Sequence, residues 1–138
     1  MAELWAVTSA HSYISLKYEE DHDWFYIKWS GHIHPDDVVA VAKMYLDLQQ
    51  QKRCSKLLND KSDVTGEWED ANDWLQFEWM PQATEMGLQF LAMVLSRDMH
   101  DLTTAQDLQR RISPNCQVAL FNDISSAMHW LTASESTK

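Results

Sequence analysis

Glycine and cysteine are scarce in this chain of 138 residues, and their scarcity argues against several kinds of site. The three glycines, Gly31, Gly66 and Gly87, lie too far apart for a glycine-rich phosphate loop, which disfavours nucleotide hydrolysis and dinucleotide binding. The two cysteines, Cys54 and Cys116, have neither CxxC spacing nor a neighbouring histidine pattern. We therefore expect two free thiols, no structural metal and no cofactor.

Basic residues and long apolar runs are also few. The sequence has 11 lysines and arginines against 21 aspartates and glutamates, which gives a formal net charge of -10 at pH 7. Such a surface repels phosphate backbones and anionic lipids at long range, so we expect no nucleic-acid partner. No run approaches the roughly 18 apolar residues of a membrane span, and the opening Met-Ala-Glu-Leu-Trp has no secretory-signal pattern. The sequence predicts a cytoplasmic protein that does not insert into membranes.

The remaining composition is that of an ordinary folded domain. Hydrophobic residues make up 45% and charged residues 23% of the chain, close to the average for globular proteins. A chain of 138 residues can bury one hydrophobic core and not two. We expect one domain over 1–138, with its core at about 12–132 and a polar tail over 133–138.

Two alternating runs near the start predict an antiparallel hairpin. They extend from Tyr13 to Tyr18 and from Trp24 to Trp29, with an acidic loop between them. Because strand side chains alternate between two faces, the predicted hairpin has one apolar face that packs on the core. That core face carries Ile14, Leu16, Tyr18, Phe25, Ile27 and Trp29.

The opposite face of the hairpin carries Tyr13, Trp24 and Tyr26. Clusters of exposed aromatic side chains are typical of interfaces, so we predict that this face forms a homodimer. Two alternatives stay open. One is that the opening segment 4–7 covers the rings, and the other is that the stems of Lys17 and Lys28 do so.

The rest of the chain alternates between strand and helix patterns. Apolar runs predict strands at Lys56–Asp60, Leu88–Leu95 and Gln117–Phe121. Helical spacing and capping residues predict helices from Pro35 to Arg53, from Trp68 to Met86 with an irregularity at Pro81, from Thr103 or Thr104 to Ile112, and from Asp123 to Leu131. The order ββαβαβαβα predicts an α/β fold with a single mixed five-stranded sheet, its hairpin at one edge and Leu88–Leu95 internal.

Several short pieces of sequence, in a fixed order, carry a family resemblance. They are Leu57–Asp60 leading into Thr65–Trp68, Pro81 and Gly87 ahead of Leu91–Val94, and Phe121–Asp123 with Ala127 and Trp130-Leu131. In their order and spacing the chain resembles the SpoIIAA-like branch of the STAS fold, relatives of the anti-sigma-factor antagonists. The resemblance implies a non-enzymatic regulatory module that acts through protein contacts. The lipid-binding members of this fold imply an alternative, a domain that binds a small apolar ligand.

The resemblance also points to one loop as a phosphorylation site. In the antagonists a serine after the third strand is phosphorylated, and the corresponding segment here, Asp60–Gly66, lacks the Asp-Ser-Ser-Gly type of signature. Ser62 or Thr65 would have to replace that serine. A phosphate there would lie among the carboxylates of Asp63, Glu67, Glu69 and Asp70 with only Lys61 to offset them, so we expect no such switch.

A ligand crevice is predicted where the parallel strands end. In open α/β sheets, ligands bind outside the carboxyl ends of the strands. The side chains expected there are Asn59, Asp60, Ser96, Arg97, Asn122 and Asp123. Arg97 is the cation of this set, so it would pair with an anionic group of a ligand, whether the domain is a carrier or an enzyme.

Two other groups of residues have the spacing of chemical sites, but a structural role explains each. His32 and His34 are spaced like metal ligands, with Asp36, Asp37 or Asp60 as oxygen donors, yet no third ligand is defined, so we expect no metal there. The acidic residues Glu67, Glu69, Asp70 and Asp73 fall opposite a tryptophan stripe and are expected to form a solvated helix face rather than a catalytic pair. No catalytic residue is predicted.

Overall fold

The computed structural model describes residues 3–8, 11–113 and 115–135. They form one mixed sheet of six strands in the order β1-β2-β3-β4-β5-β6. The first three strands are antiparallel neighbours and β3 to β6 are parallel neighbours. The strands are β1 Glu3–Thr8, β2 Ser12–Glu19, β3 Trp24–His32, β4 Lys56–Thr65, β5 Phe90–Val94 and β6 Gln117–Phe121.

The predicted count of five strands is wrong, because the opening segment is itself a strand. β1 pairs with β2 in antiparallel register, with Trp5 opposite Leu16. The segment 4–7 therefore covers the edge of the hairpin with backbone pairing, and the hairpin is not the outermost element. An antiparallel neighbour gives partners to backbone groups that the outer edge of β2 would otherwise leave unpaired.

The helices lie in two layers. Helix α1 is Pro35–Lys52, α3 is Met99–Ile112 and α4 is Ile124–Ala133. The segment 69–85, called α2 here, winds irregularly through a 3₁₀ turn at Glu69–Ala71, α-helical turns at Asn72–Trp74 and Met80–Glu85, and a π-helical stretch at Leu75–Trp79 between them. Helices α1 to α3 follow β3 to β5 in turn and pack against one another.

Helix α4 covers the opposite face of the sheet. It packs on β4, β5 and β6, and its Trp130 ring lies 5.9 Å from that of Phe90 and 5.9 Å from that of Phe121. The next residue of β5, Leu91, instead lines a cavity together with residues of α1 to α3. Since neighbouring strand residues face opposite sides, α4 lies across the sheet from the other helices.

The central strand and the hairpin core match the sequence patterns. All five residues of β5 are buried, as a parallel strand with helices on both faces requires. On the hairpin, Ile14, Leu16, Phe25, Ile27 and Trp29 are buried and Tyr18 is half-buried, so the predicted core face is confirmed. Cys54 and Cys116 are buried free thiols.

Trp24 departs from the prediction that it lies in an exposed aromatic patch. It is 1% exposed, its ring stacks on His22 at 4.3 Å, and its Nε1 donates to Glu19 Oε1 at 2.9 Å. Tyr13 is 45% exposed and Tyr26 is half-buried. The predicted interface is thereby reduced to the two tyrosines.

The bounds of β4 and α3 differ from the sequence patterns. β4 runs to Thr65 rather than ending at Asp60, because Ser30 to His32 of β3 continue to pair with it. α3 begins at Met99, so neither Thr103 nor Thr104 is its cap, and the Thr103 hydroxyl donates to the Met99 carbonyl inside the helix. α4 begins at Ile124 with Asp123 as its cap, as predicted. Residues 136–138 of the predicted tail lie outside the described residues.

Within the described part of the chain, no helix is both long enough and apolar enough to cross a bilayer.

Candidate functional site

A β-bulge places Lys61 of β4 in the core. Lys28 of β3 is opposite Asp60 and Ser30 is opposite Asp63, so Trp29 alone faces both Lys61 and Ser62. The extra residue bends the strand and re-aims its side chains, which is a common feature beside functional sites. The Lys61 side chain is 1% exposed.

The Lys61 ammonium lies in an aromatic pocket beside one carboxylate. Its Nζ is 3.5 Å from Asp101 Oδ1 of α3, 3.1 Å from the Trp68 ring centroid and 5.6 Å from that of Trp29. Burial lowers the pKa of Lys61 to about 7, and the nearby Asp101 carboxylate acts in the opposite sense. Near neutral pH, a substantial fraction of this amine is therefore uncharged.

Asp101 is held in place by two further donors. Trp68 Nε1 donates to its Oδ1 at 3.0 Å, and the Ser96 backbone N–H donates to its Oδ2 at 3.0 Å. These bonds join α3 to the segment just after β5 and to Trp68, the residue just before α2. The carboxylate is thus a fixed counter-ion, and its contact with the Lys61 ammonium is longer than an ordinary charge-assisted hydrogen bond.

A cavity of about 50 Å³ lies beside Lys61, between the sheet and helices α1 to α3. Its lining is mainly apolar, with residues such as Ile27, Leu75 and Met93. Four lining residues carry polar atoms of interest: Tyr45, Asn59, Lys61 and Trp79. Asn59 is already engaged, because its Oδ1 accepts a hydrogen bond from Trp29 Nε1.

Among the described residues, two donors in the lining of this cavity have no hydrogen-bond partner. They are the Tyr45 hydroxyl and Trp79 Nε1, both buried, and their rings lie 5.5 Å apart. Burial raises the pKa of Tyr45 well above its usual value, so the hydroxyl keeps its proton. An unsatisfied buried polar group costs about 1–3 kcal/mol, so a hydrogen-bond acceptor bound at this cavity would stabilise both donors.

The irregular winding of α2 supplies part of the cavity wall. Leu75 and Trp79, the two ends of the π-helical stretch, both line the cavity. Pro81 follows directly and has no N–H to donate, which gives a local cause for the departure from α-helical winding. π-Helical turns occur frequently at functional sites.

In the structure, the residues predicted to form a strand-end crevice fall into two separate groups. Ser96, Arg97, Asn122 and Asp123 follow the neighbouring ends of β5 and β6, where Val94 pairs with Phe121. Asp123 caps α4 by accepting from the Ser126 N–H at 2.7 Å, and its hydrogen bonds with Ser126 hold its pKa below the ordinary value. Arg97 and Asn122 are exposed.

Asn59 and Asp60 lie within β4 and not beyond its end, which corrects the prediction for both residues. Asn59 lines the cavity, while Asp60 faces away from it and accepts from the Tyr26 hydroxyl at 2.9 Å. Burial raises the pKa of Asp60, but hydrogen bonds from Ser62 and Tyr26 outweigh it and hold that pKa below the ordinary value. The two side chains therefore belong to different sites.

The two serine and threonine candidates for phosphorylation are hydrogen-bonded. Ser62 Oγ donates to Asp60 Oδ1 at 2.8 Å and accepts from Lys28 Nζ at 3.0 Å. Thr65 Oγ1 lies 3.0 Å from His32 Nδ1. The resemblance implied a loop here, but both residues lie within strand β4.

His32 and His34 line an open cleft of about 560 Å³ with Thr65, Gly66, Glu67 and Asp98. The two imidazole rings lie 5.0 Å apart. Asp36 and Asp37 lie in the first turn of α1, where Asp37 accepts from the His34 N–H at 2.9 Å. Over residues 3–8, 11–113 and 115–135, no group of three or more histidine, cysteine, aspartate or glutamate side chains is placed to hold a metal ion.

The central residues of the cavity site were not identified from the sequence. Lys61 was interpreted as a loop cation, and Asp101 was assigned no role. Spacing along a helix can show that Tyr45 is buried, but it cannot show that its hydroxyl lacks a partner. The abundance of tryptophan, seven residues in this chain, was the available signal for an aromatic pocket.

Comparisons with models of known protein families, with curated protein sequences and with solved structures give no match to this chain.

Proposed function

We propose that this domain is a non-enzymatic binding module for a small, mainly apolar molecule that carries a hydrogen-bond acceptor. The ligand occupies the cavity beside Lys61. The observation that carries the proposal is the pair of unpartnered donors, Tyr45 Oη and Trp79 Nε1, in the lining of one buried cavity. Small-molecule sites are typically apolar with a few convergent polar groups, and this cavity has that character.

The size of the cavity limits the ligand. An engineered apolar cavity of about 150 Å³ binds benzene, and the cavity here has about 50 Å³. Space for about two non-hydrogen atoms follows from that ratio. Larger ligands, including propan-1-ol and acetone, require movement of α2, whose residues Leu75 and Trp79 form part of the wall.

The proposal is tested by titrating ¹⁵N-labelled protein with propan-1-ol and acetone and following the indole resonances by NMR. We expect the Trp79 indole signal to shift saturably, while that of Trp130, on the opposite face of the sheet, stays in place. Tyr45→Phe should weaken binding by about two- to tenfold, because one hydrogen bond is lost. Tyr13→Phe is the matched control, since Tyr13 is an exposed tyrosine of the hairpin. A Trp79 signal that does not respond to either probe contradicts the proposal.

A second candidate function is the regulatory, protein-binding role implied by the STAS-like resemblance. Its support is the exposure of Tyr13, at 45%, on a sheet face that α4 covers only over β4 to β6. In this proposal a homodimer forms through Tyr13 and Tyr26. Sedimentation velocity of the wild type and of Tyr13→Glu tests it, and a monomeric wild type at micromolar concentration counts against it.

A further inference from the structure

We propose that His32 and His34 bind a divalent transition-metal ion, such as Zn²⁺ or Cu²⁺, in the cleft at the carboxyl ends of β3 and β4. This site is separate from the cavity beside Lys61, so the inference does not depend on the proposed function. It rests on two imidazole rings that lie 5.0 Å apart on one side of an extended segment, in a cleft that three loops form.

The backbone from His32 to His34 directs both imidazoles to the same side. His32 is the last residue of β3, and His34 has extended dihedral angles, with a φ of -119° and a ψ of 163°. Between them, Ile33 is fully buried and its N–H donates to the Thr65 carbonyl at 2.9 Å. Because the side chains of an extended segment alternate, burial of Ile33 leaves the two histidines together on the exposed side.

Loops that follow three parallel strands build the cleft. The two histidines lie at the end of β3, residues 65–67 at the end of β4, and Asp98 after β5. The Gly66 N–H donates to Asp98 Oδ2 at 3.2 Å, which joins two of these loops. Gly66 has a φ of 116°, and a Cβ there would lie 2.2 Å from the Ile33 carbonyl oxygen. Glycine therefore lets the end of β4 lie directly against the histidine segment.

Thr65 orients one of the two rings. Its Oγ1 lies 3.0 Å from His32 Nδ1. When Nδ1 donates to this hydroxyl, the lone pair of the neutral imidazole is on Nε2, which is the nitrogen left to bind a metal. Metal-ligating histidines almost always donate their other ring N–H to such a partner, which fixes the tautomer and the ring orientation. The Thr65 hydroxyl is therefore a positioning group for the site.

The donor atoms select the class of metal. Imidazole nitrogen suits Zn²⁺, Cu²⁺ and Ni²⁺, whereas Mg²⁺ and Ca²⁺ are bound by oxygen ligands. The carboxylates of Glu67 and Asp98 line the same cleft, and the chain carries a formal net charge of -10. A cleft with charge of one sign raises the local concentration of the opposite ion, so the cleft attracts cations.

The coordination sphere has two protein ligands. Among the described residues, no third histidine, cysteine, aspartate or glutamate is placed to complete a metal centre. The sequence-based expectation of no metal rested on that missing ligand. Water can fill the remaining positions, as it fills the open position of catalytic zinc sites, whereas structural zinc sites have four protein ligands. The geometry thus points to an exchangeable metal site that the fold does not require.

Calorimetric titration of the chelator-treated protein with Zn²⁺ tests the proposal. We expect one bound Zn²⁺ per chain, and His32→Ala or His34→Asn should weaken binding by at least about tenfold. Asparagine is chosen at position 34 because it can still cap helix α1. Thr65→Val removes only the positioning hydroxyl and should weaken binding by about tenfold. His129→Ala, at an exposed position of α4, is the matched control and should bind Zn²⁺ as the wild type does.

Two results would overturn the proposal. One is the absence of Zn²⁺ binding to the wild-type protein. The other is equal affinity in the wild type, His32→Ala and His34→Asn, which would show that the ion binds adventitiously elsewhere on the acidic surface. Titration with Mg²⁺ separates imidazole coordination from simple attraction by carboxylates, because binding of Mg²⁺ with the same affinity as Zn²⁺ would also exclude the two histidines as ligands.

Discussion

Lys61 Nζ and Asp101 Oδ1 lie 3.5 Å apart, and each side chain is 1% exposed. This pair joins the bulged strand β4 to helix α3 across the core. Bringing two charges out of water costs several kcal/mol per ion, and at this separation their attraction does not clearly repay that cost. The pair is therefore better explained by a role in the cavity than by a contribution to stability. Substituting Lys61 and Asp101 separately measures what each side chain contributes to the free energy of unfolding.

Removing Asp101 alone should strongly destabilise the folded protein. In Asp101→Leu, Lys61 keeps its position without a counter-ion, and the Trp68 Nε1 and Ser96 N–H donors lose their acceptor. We expect the free energy of unfolding to fall by about 3–5 kcal/mol, measured by urea denaturation. Gln106→Leu, at an exposed position of the same helix, is the control and should change it by less than about 0.5 kcal/mol. Equal losses in the two variants would show that the pair is not buried as described.

The pH dependence of stability should carry the signature of Lys61. Burial lowers its pKa to about 7 in the folded protein, against about 10.4 in an unfolded chain. Between those values the unfolded chain binds more protons, so the free energy of unfolding rises with pH. We expect a rise of up to about 1.4 kcal/mol from pH 7 to pH 8.

Lys61→Met should remove that rise, because the methionine has a similar length and no titratable group. The measurement is a set of urea denaturation curves at pH 7.0, 7.5 and 8.0 for both proteins, compared as the difference between them. Parallel pH dependence in wild type and variant would mean that Lys61 remains protonated throughout.

Trp24 and Tyr13 should respond differently to truncation although both are on the same face of the hairpin. Trp24 is 1% exposed and stacks on His22, whereas Tyr13 is 45% exposed. We expect Trp24→Ala to lower the free energy of unfolding by about 3–5 kcal/mol and Tyr13→Ala by less than about 1 kcal/mol. If chemical denaturation shows similar losses of unfolding free energy in the two variants, Trp24 lies outside the core. Tyr13, not Trp24, is hence the residue with which to test self-association.

The π-helical stretch of α2 should open more often than the neighbouring helix. Leu75–Trp79 lies between short 3₁₀ and α-helical turns, while α1 is an uninterrupted α-helix over Pro35–Lys52. We expect amide hydrogen exchange in 75–79 to be faster than in the middle of α1, as for a segment of low local stability. Adding propan-1-ol should slow exchange in 75–79 and leave α1 unchanged. Exchange in 75–79 that is slower than in α1 would exclude α2 as the entrance to the cavity.

The parts of the fold that the sequence predicted are those with strong local signals. The apolar run containing Phe90–Val94 is buried on both faces, Gln117–Phe121 has the predicted bounds, and Asp123 caps the last helix through the Ser126 N–H. In each case the residues that define the element are adjacent in sequence. Burial and capping act over a few residues, so a local pattern is enough to find them.

The errors arose where distant residues decide the outcome. β1 forms because β2 offers it an edge, and β4 continues past the bulge at Lys61 and Ser62 because β3 pairs with residues 63–65. The site depends on such contacts throughout, since Lys61 and Asp101 are 40 residues apart in sequence. No spacing rule connects a lysine in a polar stretch with an aspartate inside a helix, and the unpartnered hydroxyl of Tyr45 becomes visible only when its neighbours are in place.

The two buried thiols can report how often the structure around them opens. Cys54 and Cys116 precede β4 and β6, at the amino ends of the parallel strands. Burial raises the pKa of Cys54 to about 11 and that of Cys116 to about 12, so neither forms a thiolate readily in the folded protein. Alkylation by a thiol reagent must then wait for the surrounding structure to separate. The rate at which each cysteine is alkylated therefore measures how often the structure opens at the amino ends of the parallel strands.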